Sequence, residues 1–86
     1  MLEVSHFYGI MVKLYYREHP PAHFHALYGE NEGVVEIESG ALTKGNLPKT
    51  AAILIDAWRN QHLQELRENW SRAQHRMPIL PIPPLE

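Results

Sequence analysis

The chain has no cysteine. Disulfide staples and thiolate metal sites are therefore excluded, and a thiol nucleophile with them. Long apolar runs are also missing. The longest strictly apolar stretch is Ala51 to Ile55, far short of a membrane span. No run of like charge exceeds two residues and the net charge is −2, so nucleic-acid binding is not indicated. The N-terminus lacks the basic start and apolar core of a signal peptide, and with the absence of cysteine this leads us to expect a cytoplasmic protein. No Gly-x-Ser-x-Gly elbow or phosphate-cradling glycine loop occurs.

Eighty-six residues, 44% of them hydrophobic, suit one small domain with a shallow core. A surface groove, or a site shared between subunits, is expected rather than a deep cavity. Residues 9–16 alternate as a strand, with Ile10, Val12, Leu14 and Tyr16 on one face and Met11, Lys13 and Tyr15 on the other. Residues 17–22 form a loop, because neither Pro20 nor Pro21 can donate to a sheet ladder. A second strand is expected at 23–29, with Phe24, Ala26 and Tyr28 inward. A turn over 30–33 and a third strand at 34–39, with Val35 and Ile37 inward, complete an antiparallel meander.

Leu47-Pro48 opens a helical region in which Ala51, Leu54, Ile55 and Trp58 recur at helical spacing. A straight helix running on to His75 would measure about 40 Å, too long for a compact domain of this size, so a break is expected near Asn60–His62. Asn60 is the expected cap of a second helix that carries Leu63, Leu66, Trp70 and Ala73. Trp58 and Trp70 read as core residues. The prolines of residues 77–86 favour an extended tail lying along an apolar surface.

The fold expected is thus α+β. A three-stranded antiparallel meander, with the residues after Met1 as an optional fourth strand, is covered on one face by two C-terminal helices. The sheet occupies 1–40, the helical region 47–76 and the proline-rich tail 77–86.

Chemistry concentrates in His19-Pro20-Pro21-Ala22-His23-Phe24-His25. In a strand, alternation puts His23 and His25 on one face and Phe24 on the other. The expected register sets 25 against 38, placing Glu38 beside His25, with Lys13, Tyr15 and Glu36 on the same face. Three readings compete for this face. His23 and His25 with His19 or Glu38 could ligate a divalent metal such as zinc or nickel. A His25–Glu38 pair with Arg17 or Lys13 as the cation could perform metal-free acid–base catalysis. The third possibility is a merely polar, solvated sheet surface, partner binding included, and such surfaces are the commonest of the three. The arginines at 59, 67, 72 and 76 read as a solvated helical face paired with Glu65 and Glu68.

Several segments fall in an order that resembles a known family. Phe7-Tyr8-Gly9-Ile10 is followed by the histidine block through Ala26, then by Tyr28-Gly29-Glu30, Leu47-Pro48, Trp58, Glu68-Asn69-Trp70 and Ile82-Pro83-Pro84-Leu85. The family is the one called domain of unknown function 4160. Ala22 departs from it where a third proline is frequent, as does Ala41 where an acidic residue is frequent. The resemblance implies a bacterial protein with no established activity. It also implies a protein partner, a neighbouring-gene product in an arrangement like toxin–antitoxin pairs, with a homodimer as the other association. The leading expectation is an interaction module of such a two-protein system, and the alternative is a small histidine-dependent, metal-assisted hydrolase or nuclease.

Overall fold

A computed structural model describes residues 2–85. It contains five strands, β1 (Leu2–Phe7), β2 (Ile10–Leu14), β3 (His23–Tyr28), β4 (Asn31–Glu36) and β5 (Leu42–Gly45), then two helices, α1 (Lys49–Gln61) and α2 (Leu63–Gln74). The strands form one antiparallel sheet in the order β1-β2-β3-β4-β5. The α+β meander is therefore larger than the sequence suggested. The optional N-terminal strand is present, and a fifth strand, β5, lies between the expected sheet (1–40) and the expected helical region (47–76).

The first hairpin closes through Tyr8 and Gly9, both at positive φ (49° and 80°), with Phe7 opposite Ile10. Two such residues make the connection whose twist suits an antiparallel pair. The hairpin between β3 and β4 closes through Gly29 (φ 59°) and Glu30, with Tyr28 opposite Asn31. This corrects the expected 30–33 turn. Gly33 is not a turn residue; it is buried in β4, where an added Cβ would lie 2.6–2.9 Å from the side chains of Leu42 and Leu47. The shorter turn slides β4 by four residues. His25 therefore faces Val34 and His23 faces Glu36, and the 25-to-38 pairing does not form. An even slip preserves the faces, so Val35 and Ile37 still point inward.

The core joins Ile10, Val12 and Leu14 of β2, Phe24 and Ala26 of β3, Val35, Ile37, and the inner faces of both helices. Trp58 stands at its centre, with ring centroids 5.4 Å from Phe7 and 5.8 Å from Phe24. Its indole N–H donates to the Pro83 carbonyl at 2.9 Å, so the largest core side chain also holds the tail. The helical region breaks at His62, inside the expected window, and the molecule's longest axis is 33 Å. Asn60 does not cap α2. Its amide donates back to the Asp56 carbonyl at 3.0 Å, and the boundary falls on His62, whose side chain makes no capping bond to the backbone and instead lies with Nδ1 2.6 Å from the Glu65 carboxylate.

Two buried polar residues organise the remainder. Asn69 (2% exposed) mimics a strand neighbour for the tail, donating to the Leu80 carbonyl at 2.7 Å and accepting from the Leu80 N–H at 2.9 Å. Beyond it, the Ile82 N–H donates to the Val4 carbonyl at 2.8 Å, so the tail lies along β1. Arg59 is buried rather than on a solvated face. It donates to the Ile37 carbonyl at 2.8 Å and to Asp56, holding the turn after β4 against α1. Among the described residues, no helix is long and apolar enough to cross a membrane.

Candidate metal centre

The face opposite the core carries His23 and His25 side by side, with Phe24 buried on the other side. Strand alternation alone dictates this placement. The carboxylate that completes the cluster is Glu18, from the loop between β2 and β3. Glu18 Oε1 lies 3.0 Å from His23 Nε2 and 2.9 Å from His25 Nε2, and Oε2 lies 3.2 Å from the latter. Ligand atoms of the three residues all fall within 4.8 Å of one another. At the 2.0–2.2 Å bonds typical of nitrogen and oxygen ligands, a tetrahedral ion needs ligand atoms about 3.4 Å apart, so a small expansion would admit one.

Glu18 is also held by its backbone, from α2. The Pro20–Pro21 peptide is cis. The Gln74 side-chain amide, at the end of α2, donates to the Glu18 carbonyl at 2.8 Å. Trp70, one turn earlier, packs against His23 with ring centroids 5.2 Å apart, and is half-buried rather than fully in the core. Tyr15 meets His25 edge-on at 4.4 Å. The ring orientations are thus fixed by packing as well as by polar bonds.

The tautomers follow from the partners. His23 Nδ1 lies 2.8 Å from the Pro21 carbonyl, which can only accept, so Nδ1 carries a proton. In neutral His23 the Nε2 lone pair then faces a carboxylate oxygen at 3.0 Å. Two acceptors at that distance need a proton or a cation between them. His25 shows the complementary problem. Its Nδ1 is buried without a hydrogen-bond partner, and the nearest carboxylate oxygen, Glu32 Oε2, stands 3.4 Å away outside hydrogen-bonding geometry. If Nε2 instead ligated a cation, Nδ1 would carry the proton and a small shift of the exposed Glu32 side chain would accept it. A histidine bonded to a carbonyl and another backed by a carboxylate are the usual outer partners of metal-ligating imidazoles.

The cluster opens into a groove of about 350 Å³ whose walls include His19, Pro21, Glu36, Thr43 and Lys44. His23 and His25 are only 14% and 12% exposed and Glu18 27%, so the ligand set is partly desolvated yet reachable.

Other residues singled out in the sequence fall elsewhere. His19 is exposed on the groove wall and is not part of the three-residue cluster, where Glu18 takes the third position. Glu38 is exposed and bound in a two-pronged pair to Arg67 of α2 (2.7 and 2.8 Å), whose guanidinium holds its carboxyl below the ordinary value. Lys13 lies opposite His25 in the β2–β3 ladder. Arg17 is exposed and lines a different pocket with Tyr16 and Arg76. Glu18 lies outside the strands, in a loop where alternation marks no residue. Its signal was an acidic residue immediately before the His-Pro-Pro stretch, in a loop that must double back across the sheet.

The fold and cluster define a small antiparallel α+β protein with a two-histidine, one-carboxylate face. The family model of the domain of unknown function 4160 matches residues 9–71, which span β2 to most of α2, and the chain belongs to that family. Searches of curated proteins and of solved structures returned no match.

Proposed function

We propose that Glu18, His23 and His25 bind a divalent transition-metal ion, zinc or nickel, and that the groove above it serves metal-assisted hydrolysis. The observation that carries this reading is the His23 Nδ1–H bond to Pro21, which turns the Nε2 lone pair onto the Glu18 carboxylate. Three protein ligands would leave further positions of such an ion to water or substrate, as catalytic sites require. A water held there would lose its proton near neutral pH and could attack an ester or phosphodiester, with Lys44 on the wall to meet developing negative charge.

The test is metal content and calorimetry on protein purified without a histidine tag, followed by hydrolysis assays on bis(p-nitrophenyl) phosphate. Stoichiometric zinc or nickel that disappears in His23→Ala/His25→Ala, with chelator-sensitive turnover, supports the reading. Metal bound equally by wild type and the double variant sinks it. If metal binds but turnover is absent, the ion has a structural or sensing role and the hydrolase reading falls alone.

A second reading, an interaction module of a two-protein system, draws on β5. All four of its residues are exposed and it forms one edge of the sheet. Its backbone is a template for an added strand. Stable co-purification with the neighbouring gene product, lost on replacing Thr43 by proline, is the outcome that would favour it.

A further inference from the structure

Arg17 and Arg76 are far apart in sequence but line one pocket of about 400 Å³ together with Tyr16. Both adopt left-handed backbone conformations, with φ of 58° and 55°. Glycine or asparagine is the usual occupant of such positions. At Arg76 the reason for the conformation is plain: the Met77 N–H closes onto the Arg72 carbonyl (2.8 Å) and the Arg76 N–H onto Ala73 (3.4 Å), the capping turn that ends α2. That turn explains the backbone but not the choice of arginine.

Neither guanidinium has a hydrogen-bond or ion-pair partner among the described residues. The carboxylate nearest in sequence, Glu18, is committed to His23 and His25. Both side chains are exposed, and the concavity they line with Tyr16 presents positive charge with no carboxylate among its lining residues. Tyr16, 39% exposed, adds a hydroxyl and an aromatic wall. The concavity is wide and open to solvent, so it would hold a phosphate group while leaving the rest of the molecule that carries it in water.

We infer that Tyr16, Arg17 and Arg76 form a binding site for the phosphate group of a small soluble phosphate monoester. A guanidinium can meet two oxygens of a tetrahedral dianion at once, which a lysine would meet only as a point charge. The site is separate from the metal cluster and does not depend on it, although Arg17 and Glu18 are adjacent in one loop.

The experiment is an amide NMR titration of the full chain with inorganic phosphate, on protein stripped of metal with a chelator and then dialysed free of it, so that neither contributes. Sodium chloride at matched ionic strength is the control. Saturable shifts at residues 16, 17 and 76 are expected, with a midpoint of about 1 mM. The variant Arg17→Gly/Arg76→Gly suits both backbone positions and so should keep the wild-type spectrum elsewhere, while weakening phosphate binding about tenfold or more. Arg17→Lys/Arg76→Lys should fall between. Shifts that chloride reproduces, or phosphate binding unaltered in the double glycine variant, overturn the proposal. Vesicles containing phosphatidic acid should not sediment the protein. Vesicle binding without binding of free phosphate would move the chemistry to a lipid headgroup and also overturn it.

Discussion

The side chain of Gln74 holds the backbone of Glu18, its amide donating to that carbonyl at 2.8 Å across 56 residues of sequence. The last turn of α2 thereby fixes the loop that supplies the carboxylate between His23 and His25. Outer partners of this kind commonly change metal affinity by 10–100-fold, and Gln74→Ala is expected to weaken zinc binding about 10-fold with little loss of fold. Competition calorimetry against a chelator of known affinity measures it. An unchanged affinity would mean the loop holds Glu18 without help from α2.

Asn69 gives the tail both a donor and an acceptor. In Asn69→Ala the N–H and carbonyl of Leu80 lose their partners in a part-buried site, and about 2 kcal/mol of stability should go with them. Urea unfolding followed by tryptophan fluorescence reads this well, since Trp58 also touches the tail through Pro83. A loss confined to a few tenths of a kcal/mol would show that water replaces the amide at no penalty.

At Gly33 the neighbours of a new methyl group would be Leu42 and Leu47, all within 3.0 Å. Both side chains can shift, so Gly33→Ala should destabilise by about 1–3 kcal/mol rather than prevent folding. The change should appear as a lower urea midpoint with an unaltered slope. Wild-type stability in this variant would place the β4–β5 packing in error.

Arg76→Gly should act in the opposite direction. Relief of the left-handed backbone is worth up to about 1 kcal/mol, offset by the greater freedom of glycine in the unfolded chain. A small rise in melting temperature is the expected result of a thermal scan, and a fall would assign Arg76 a stabilising contact.

The Glu38–Arg67 pair has a defined pH signature. Its hydrogen bonds lower the Glu38 carboxyl from its ordinary value of 4.5, so the folded state binds this proton less readily than the unfolded chain. The associated stability is present above 4.5 and disappears as pH falls through the folded-state value below it. Both side chains are exposed and salt will screen the effect. NMR titration should show the Glu38 midpoint rising toward the ordinary value in Arg67→Gln; an unmoved midpoint would contradict the pairing.

The parts of this fold set by burial were legible in the sequence. Strand alternation at 10–14 and 23–28 placed Val12, Leu14, Phe24 and Ala26 inward, and the length argument put the helix break within a residue or two of His62. What escaped was set by hydrogen bonding. In β5 no residue is buried, so Leu42–Gly45 has no hydrophobic pattern to read and is held as a strand by its ladder to β4. The register slipped because Asn31 and Gly33 resemble turn residues, whereas the turn is made by Gly29 and Glu30. Asn69 did leave a trace: it falls between Leu66 and Ala73 on the inward stripe of α2, where a polar residue calls for an explanation. At the site, the paired imidazoles followed from alternation, but their carboxylate came from a loop, and loop side chains follow no period.

The tail resting on β1 has a consequence for assembly. With the Ile82 N–H bonded to the Val4 carbonyl, the chain's own tail covers part of the β1 margin, while nothing among the described residues covers the margin at β5. Stacking without limit needs two vacant margins per molecule. A molecule with one can join a second copy back to back through β5 and then has nothing further to offer, so the geometry permits pairs and disfavours fibres.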